Sequence, residues 1–457
     1  MNTEKIVRYI LSFLLRESSL EGTLSKWVGY TSKKREWGDY KIVIVPSRFF
    51  EIGFYGTQEA YPQLPLQEWE GTPLLYGLPR VERCSETGAV VVYADIVAST
   101  YFLISRYEEM YRRSERDDYG RFLGKWSLPA KAGFIHRPIV EEYGEHLRTL
   151  LQREGVELPS YDKKFSYIHL THDIDTPYEY HGVRSFFRAF LKEQKSLKEA
   201  YRLAFQPLLK DRFFTFDRFL EWNREVERRI PNKCSSIFFY KTPGSELEDR
   251  PNYSPLRGVA HKVHCYAKKY GVEEEIHLPL ECSKHPGRIA AHTNRLRHDL
   301  KKSITKSRYH YLACREPEDF LFLSDAGIWE DFSMGYPDMA GFRLGTCRPV
   351  HFILPSTGSI TNLLLHPLTV MDCSLDRSQY MGLNAIDSLR YAHGLLLQTA
   401  KFGGELNLLF HNNLLAKEVH PFHSRLYREL LRTILRIEEN ALTNVALETI
   451  APCLEEF

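Results

Sequence analysis

The first third of the chain alternates short β-branched runs with longer segments of helical periodicity. An apolar stripe over residues 6–15 predicts an amphipathic helix, and residues 41–45 and 89–93 predict two strands. Asp95 is a favourable N-cap for a helix over about 96–113, and a further helix is predicted over about 139–154. This alternation favours a small α/β domain over residues 1–160.

The remainder of the chain, residues 161–457, repeats strand and helix units. Seven apolar runs predict strands at 165–170, 235–240, 275–280, 308–312, 327–332, 363–372 and 405–411. Helices are predicted at 287–304, 317–326, 384–402 and 425–439. Such repeated units favour an α/β fold. We expect a distorted (β/α) barrel of about seven parallel strands, with the smaller N-terminal α/β domain packed on it.

Two carboxylates stand at the end of the first strand of this second region. Asp173 and Asp175 are two residues apart, so both side chains point to the same face of an extended backbone. Two like charges beside a buried strand are costly unless a cation lies near them. A divalent metal would meet that need, with one carboxylate as ligand and the other as base. The alternative is that one Asp caps a helix and the other pairs with an arginine.

Further polar residues lie in or at the ends of the other predicted strands. They are His277, Arg308, His310, Asp372, His411 and Asn412. The active sites of α/β barrels form at the carboxyl ends of the strands. One histidine or arginine in a strand is usually structural, but several at one rim predict a functional pocket.

Composition and charge exclude several classes of protein. At 457 residues the chain is longer than one typical domain, and its formal net charge of +2 gives no indication of nucleic-acid binding. Its eight cysteines include no C-x-x-C pair, which fits a reducing compartment rather than a disulfide framework. We find no apolar run of membrane-spanning length and no signal peptide, and so expect a cytoplasmic location.

A basic and aromatic segment follows the first strand of the second region. Between residues 184 and 205, arginines and lysines interleave with phenylalanines at helical spacing. A charge run of this kind is usually a solvated helix face, and that interpretation is preferred here over the binding of a polyanion.

The motifs of the second region resemble those of a known enzyme family. Residues 165–430 are similar to polysaccharide deacetylases of the NodB-homology type, carbohydrate esterase family four. Thr-His-Asp-Ile-Asp at 171–175 resembles the first motif, Ser-Ile-Phe-Phe at 236–239 the second strand, and Leu-Leu-Phe-His-Asn at 408–412 the last motif. The similarity extends to a bacterial branch with its own N-terminal domain, through residues 40–150, 307–312, 340–349 and 370–372.

The resemblance implies a metal-dependent hydrolase of acylated carbohydrates, with zinc as the expected cofactor. It implies that Asp173 is the general base, Asp175 a metal ligand and His411 the general acid. Arg308 would orient Asp173. The residues expected around the substrate are Arg308, His310, Arg343, Asp372 and Asn412.

The second metal-binding motif departs from the family pattern. The family has two histidines four residues apart, whereas Glu281 follows His277 at that spacing. His277 remains the expected second metal ligand, because a two-residue shift along a strand keeps the same face. Glu281 or His285 could complete the site, since carboxylates also bind zinc. The alternative is a degraded site that binds no metal.

The expected function is the metal-dependent removal of an acyl group, such as acetyl, from an N-acylated sugar or a related small substrate. Two alternatives remain open. One is a catalytically silent carbohydrate-binding or scaffold protein, and the other is an amidohydrolase of a different small molecule. The long loop over 46–79 and the basic stretch over 121–137 are expected to pack near the pocket and restrict it.

Overall fold

The computed structural model describes residues 3–17 and 23–439. The strands are β1 Val28–Tyr30, β2 Ile42–Ile44, β3 Gln67–Trp69, β4 Thr72–Leu74, β5 Gly77–Arg83, β6 Val90–Ala94, β7 Tyr167–Ile174, β8 Cys234–Lys241, β9 Glu273–Leu278, β10 Lys306–Tyr309, β11 Glu330–Met334, β12 Val350–Leu354, β13 Ser359–Pro367, β14 Val370–Met371 and β15 Glu405–Leu409. The helices are α1 Thr3–Leu15, α2 Ile96–Ile104, α3 Tyr107–Tyr111, α4 Leu128–Lys131, α5 Ile139–Arg153, α6 Gly182–Phe187, α7 Leu197–Phe205, α8 Phe216–Arg229, α9 Gly258–Tyr270, α10 Leu280–Lys284, α11 Ile289–Leu300, α12 Phe320–Asp325, α13 Asp372–Asp376, α14 Ala385–Lys401 and α15 Pro421–Glu438.

The N-terminal region contains a four-stranded sheet in the order β1-β2-β6-β5. β1, β2 and β6 are parallel, and β5 joins one edge antiparallel. The β-branched residues of β2 are fully buried, which explains why this short run forms a central strand. The helix predicted over 96–113 is interrupted. α2 ends at Ile104 and α3 begins at Tyr107, because Arg106 adopts a left-handed conformation with φ of 60°.

The second region is built on a nine-stranded sheet in the order β12-β13-β11-β10-β9-β8-β7-β15-β14. All neighbouring pairs are parallel except β12 with β13. The seven predicted strands are all present, although the run predicted over 363–372 forms two strands, β13 and β14. Antiparallel β12 is an addition that the sequence did not indicate. The protein is thus a mixed α/β protein with a large, mainly parallel sheet. None of the described helices is long and apolar enough to cross a membrane.

The large sheet is strongly curved. Arg308 lies on β10, which β9 and β8 separate from β7, and in a flat sheet this would place β10 and β7 roughly 14 Å apart. Yet Arg308 Nη1 lies 2.9 Å from Asp173 Oδ1 on β7, and Arg308 Nη2 lies 3.4 Å from Asn407 Oδ1 on β15. The concave face of the sheet therefore encloses these polar side chains.

Buried ion pairs join the N-terminal region to the large sheet. Glu109 on α3 accepts hydrogen bonds from Arg343 Nε at 2.9 Å and Arg343 Nη2 at 2.7 Å, and from Arg106 Nη2 at 2.5 Å. Although burial opposes ionisation, the two guanidinium groups outweigh it and lower the pKa of Glu109 to about 2. Arg343 is therefore engaged between the two regions, and its expected place beside the substrate is corrected.

This cluster predicts a large loss of stability when its one carboxylate is neutralised. Glu109→Gln leaves two guanidinium groups buried without a counter-charge, which should lower the free energy of unfolding by about 3–5 kcal/mol. The matched control is Glu4→Gln, because Glu4 pairs with Arg8 on the surface, where such pairs contribute less than about 1 kcal/mol. Urea unfolding of the parent and both variants measures the difference. Equal losses in the two variants would contradict the proposed role of Glu109.

Candidate active site

A polar cavity opens where β7, β8, β10 and β15 end. Its volume is about 240 Å³. It is lined by Asp173, Asp175, Thr176, Lys241, Glu248, Arg250, His310, Tyr311, Leu312, Met371, Cys373, Arg377, Leu409, His411 and their neighbours, together with Arg121 from the N-terminal region. Asp173 and His411, the predicted base and acid, therefore share one cavity.

Two histidine side chains converge on one carboxylate oxygen in this cavity. Asp175 Oδ1 lies 3.3 Å from His277 Nε2 and 3.5 Å from His310 Nε2. Neither Asp175 Oδ1 nor His277 Nε2 has a hydrogen-bond partner among the described residues, although both atoms are buried. Buried polar atoms without partners are uncommon, so they point to a group that binds between them.

The second nitrogen of each histidine fixes how the ring faces Asp175. His277 Nδ1 lies 3.1 Å from the carbonyl oxygen of Arg308, which can only accept, so Nδ1 carries the proton. His310 Nδ1 lies 3.0 Å from the fully buried Asp249 Oδ1, and donates to it. Both Nε2 atoms are thereby directed at Asp175. A histidine held through Nδ1 by a carbonyl or carboxylate is the usual arrangement of a metal ligand.

The distances from Asp175 Oδ1 to the two histidine nitrogens fit a zinc ion, and one ligand atom from each of the three residues lies within 4.8 Å of the others. Ligand atoms about 2.0–2.2 Å from a tetrahedral zinc are roughly 3.3–3.6 Å apart, and catalytic zinc sites commonly have three protein ligands. Asp175, His277 and His310 therefore form a candidate set of three ligands. His310 was expected at the substrate, and the third ligand was expected to be Glu281 or His285. His285 is exposed, and Glu281 is held by Arg288 and by the backbone nitrogen of Ser245.

Asp173 is held beside this cluster by a buried arginine. Arg308 Nη1 donates to Asp173 Oδ1 at 2.9 Å and to Thr171 Oγ1 at 2.8 Å, while Nε donates to the Phe332 carbonyl at 3.0 Å. The Arg308 side chain is fully buried, so it positions Asp173 and is not a lining residue of the cavity. Asp173 Oδ2 lies 3.5 Å from His277 Nε2, which leaves this oxygen near the proposed ligands.

His411 is oriented and charged by Asp372. Its Nδ1 lies 2.9 Å from Asp372 Oδ1, and its backbone nitrogen donates to Asp372 Oδ2 at 2.6 Å. Burial alone would lower the pKa of His411, but the Asp372 carboxylate outweighs it and raises the pKa to about 9. Asp372 is fully buried, so it supports His411 from behind and does not contact the cavity. A protonated His411 Nε2 lies 3.6 Å from Asp175 Oδ2.

Positive charge surrounds Asp175 on several sides. Burial would raise its pKa, but His310 and Lys241 outweigh this and hold the pKa well below its usual value. Lys241, whose Nζ lies 3.9 Å from Asp175 Oδ1, ends β8 and was not predicted as a site residue. The sequence feature that identifies Lys241 as a site residue is its position directly after the apolar run 237–240, at the end of a strand. No signal of this kind marks Asp249, which lies in a loop.

Asn412 has a structural role. Its amide nitrogen donates to the carbonyls of Thr176 at 2.9 Å and Phe213 at 2.8 Å, and its side chain is buried. It therefore ties together the two ends of the insertion that follows β7. These contacts engage only the amide nitrogen, and Oδ1 has no partner among the described residues, so substrate binding by Asn412 stays a prediction.

The N-terminal region reaches the cavity through one short segment. Arg121 lines the cavity, and the neighbouring Tyr119 ring stacks on Tyr311 at 5.0 Å between centroids. Tyr311 and Leu312 both have positive φ, which turns the chain towards the cavity after β10. Among the described residues that line the cavity, none comes from the loop over 46–79, so only the basic stretch restricts the opening as expected.

Comparison with known proteins covers parts of the chain. A model of a family of unknown function (DUF7033) matches residues 2–155. No curated protein matches the sequence. Among solved structures, the chain is similar to a putative polysaccharide deacetylase from Mycobacterium smegmatis, with 13% sequence identity, a TM-score of 0.36, and coverage of 61% of this chain and 86% of that one. Function is therefore inferred from the geometry of the cavity.

A second cluster of histidines and carboxylates lies near the opposite ends of the strands. His366 Nδ1 lies 2.5 Å from Glu405 Oε1 and Nε2 lies 3.1 Å from Glu330 Oε2, while His169 Nε2 lies 3.2 Å from Glu405 Oε1. A separation of 2.5 Å is that of a hydrogen bond and is too short for two ligands of one zinc. Burial would lower the pKa of His366, but Glu405 and Glu330 raise it to about 9. This cluster is thus a buried ion pair.

The His366 ion pair predicts a loss of stability in alkaline solution. Because its folded pKa of about 9 exceeds its ordinary value of 6.5, its contribution is complete below about pH 6.5 and is lost as the pH rises through 9. The shift corresponds to a contribution on the order of 3 kcal/mol. Urea unfolding at about pH 6 and about pH 10 should show a larger loss for the parent than for His366→Gln.

The matched control for this experiment is His298→Gln, because the His298 side chain is exposed. This variant should lose as much stability between the two pH values as the parent does. If His366→Gln also matched the parent, the His366 imidazolium would not be the group responsible.

Proposed function

We propose that this protein is a metal-dependent hydrolase that removes an acyl group from an N-acylated sugar or a related small substrate. The observation that carries the proposal is the convergence of His277 Nε2 and His310 Nε2 on Asp175 Oδ1, at 3.3 Å and 3.5 Å, beside Asp173 and His411. A ligand set, a base and an acid therefore meet in one cavity. The motif resemblance supports the substrate class, and the small volume of the cavity favours a single acylated residue or a chain end.

The residues of the chain divide the reaction between them. Asp175, His277 and His310 would hold a divalent ion, which would supply Lewis-acid polarisation of the acyl carbonyl and of a water molecule. Asp173 accepts a proton from the attacking water through Oδ2, since Oδ1 is engaged by Arg308. His411, protonated and held by Asp372, donates a proton from Nε2 to the leaving amine nitrogen. The cation at His411 also favours the negative charge that develops on the acyl group.

We also infer that the large sheet closes as the predicted distorted barrel, with residues 1–160 as a separate domain. Two hydrogen bonds of the link between β13 and β14 support closure. Leu368 N donates to the Met334 carbonyl on β11 at 2.9 Å, and Thr369 N donates to the Asn407 carbonyl on β15 at 3.0 Å. This link thus contacts strands from both ends of the curved sheet.

Metal analysis tests the ligand set. The parent is expected to bind one zinc per chain, and His310→Ala should weaken zinc binding by at least about 100-fold, because removing a ligand exceeds the 10–100-fold effect of an outer partner. Asp249→Asn should weaken it by about 10–100-fold, since His310 loses its anchor. The measurement is zinc content after dialysis, followed by titration with a competing chelator.

The matched control is His285→Ala, which removes an exposed histidine that precedes the short helical turn at 286–288. It should bind zinc as the parent does. Weak binding in the parent, or equal loss in the His285 and His310 variants, would contradict the proposed ligands and restore the alternative of a degraded site.

Turnover tests the chemical roles. Acetate release from N-acetylated mono- and oligosaccharides should fall by about 100- to 10,000-fold in Asp173→Asn and His411→Asn, with zinc retained in both variants. Asp387→Asn, at the exposed start of α14, is the control and should retain the activity of the parent. Tight zinc binding without hydrolysis of any N-acetylated sugar would rule out this substrate class, and would favour an amidohydrolase or a carbohydrate-binding protein.

A further inference from the structure

The insertion between β7 and α8 contains a helical hairpin. Its first arm is α6 continued by a π-helical turn at Arg188–Lys192, and its second arm is α7. The two arms meet through small buried residues, including Ala189 on the first and Ala200 and Ala204 on the second. This close contact leaves the larger side chains of both arms on the outer surfaces.

Large apolar residues form an exposed row along each arm. Val183, Phe187 and Leu191 repeat every four residues on the first arm, and Leu197, Tyr201 and Phe205 do so on the second, which places each set on one helix face. Between 40% and 67% of each side chain is exposed in the set Val183, Phe187, Phe190, Leu191, Leu197, Tyr201, Phe205 and Leu209. Two rows of exposed apolar side chains on one short hairpin are unusual on a protein that only contacts water.

A row of basic residues lies beside each apolar row. Arg184, Arg188 and Lys192 follow the apolar positions of the first arm by one residue, and Lys198 and Arg202 do so on the second. Residues 182–210 carry seven basic and two acidic side chains, an excess of five positive charges, whereas the whole chain has a net charge of +2. Arg184, Lys192, Lys198 and Arg202 make no ion pair with any described residue.

The apolar row and the basic row together indicate which kind of partner the hairpin binds. A solvated helix face would explain the charges but not eight exposed apolar side chains. A nucleic acid would contact the charges and stack its bases on the exposed phenylalanine and tyrosine rings, but it would leave the aliphatic Val183, Leu191, Leu197 and Leu209 exposed to water. A membrane surface with anionic lipids matches both rows, because apolar side chains insert at the interface while lysines and arginines contact the headgroups.

We propose that the hairpin over residues 182–210 docks this protein on the surface of an anionic lipid membrane. The base of the hairpin is tied to the rim of the cavity. Asp211 accepts hydrogen bonds from the backbone nitrogens of Glu179 and Tyr180 at 2.8 Å each, and Asn412 bridges Thr176 and Phe213. Because Thr176 lines the cavity, docking brings the cavity close to the membrane, where it can receive an acylated substrate held at that surface.

Vesicle flotation of the full chain tests this proposal without any measurement of activity. The protein should float with vesicles of equal parts phosphatidylcholine and phosphatidylglycerol, and should stay in solution with phosphatidylcholine alone. Arg184→Gln with Arg202→Gln should weaken binding by about 25-fold, at about five-fold for each basic residue. Leu191→Gln with Tyr201→Gln should weaken it by at least about ten-fold.

The matched control is Ile386→Gln, which removes an apolar side chain that is 70% exposed on a different surface. It should float as the parent does, and thermal unfolding should show that the hairpin variants remain folded. Absence of flotation with anionic vesicles would overturn the proposal. So would light scattering that shows a dimer which Leu191→Gln dissociates, since a second copy of the chain would then cover the hairpin.

Discussion

The two carboxylates at the end of β7 need positively charged groups close to them, and several parts of the structure supply such groups. Asp173 and Asp175 repel each other, and burial makes that repulsion more costly than it would be in water. Three other strands supply compensating groups: Lys241 ends β8, Arg308 lies on β10 and His411 follows β15. Both β8 and β15 adjoin β7, whereas β10 is separated from it by two strands, so the curvature of the sheet is what brings Arg308 within contact distance of Asp173. A flat sheet with the same order would leave Asp173 without this counter-charge.

The positions of the strands along the chain and the general place of the site follow from local patterns that a single sequence contains. Apolar runs marked seven strands of the large sheet, and the rule that parallel strands present their carboxyl ends at one edge brought Asp173, Asp175 and His411 together. Because Asp173 and Asp175 are two residues apart on a strand, their side chains point to the same face whatever their partners are. These inferences succeed because they depend on backbone geometry within one strand or between neighbouring strands.

The remaining features depend on partners that are distant in sequence. Arg343 was expected at the substrate because it lies in a motif segment, but its partner Glu109 is 234 residues away. The role of His310 depends on Asp249, which a loop brings beneath it, and a loop of this kind has no periodic pattern. Glu281 has the right chemistry for a ligand, yet it lies against Arg288. The basic segment after β7 was expected to be a solvated face, because charge alone does not reveal that the intervening aromatic side chains are also exposed.

The ionic contacts between the two regions have a consequence for how the chain can evolve. Glu141 on α5 accepts from Thr346 Oγ1 at 2.5 Å and from Arg348 Nε at 2.8 Å, in addition to the contacts between Glu109 and Arg343. Each pair couples a residue before the predicted boundary at 160 to one after it. Recombination at that boundary with a distant homologue would separate both pairs at once. The guanidinium and carboxylate groups would then face a surface without the opposite charge. The two regions are therefore expected to be inherited as one unit, with their charges changing together.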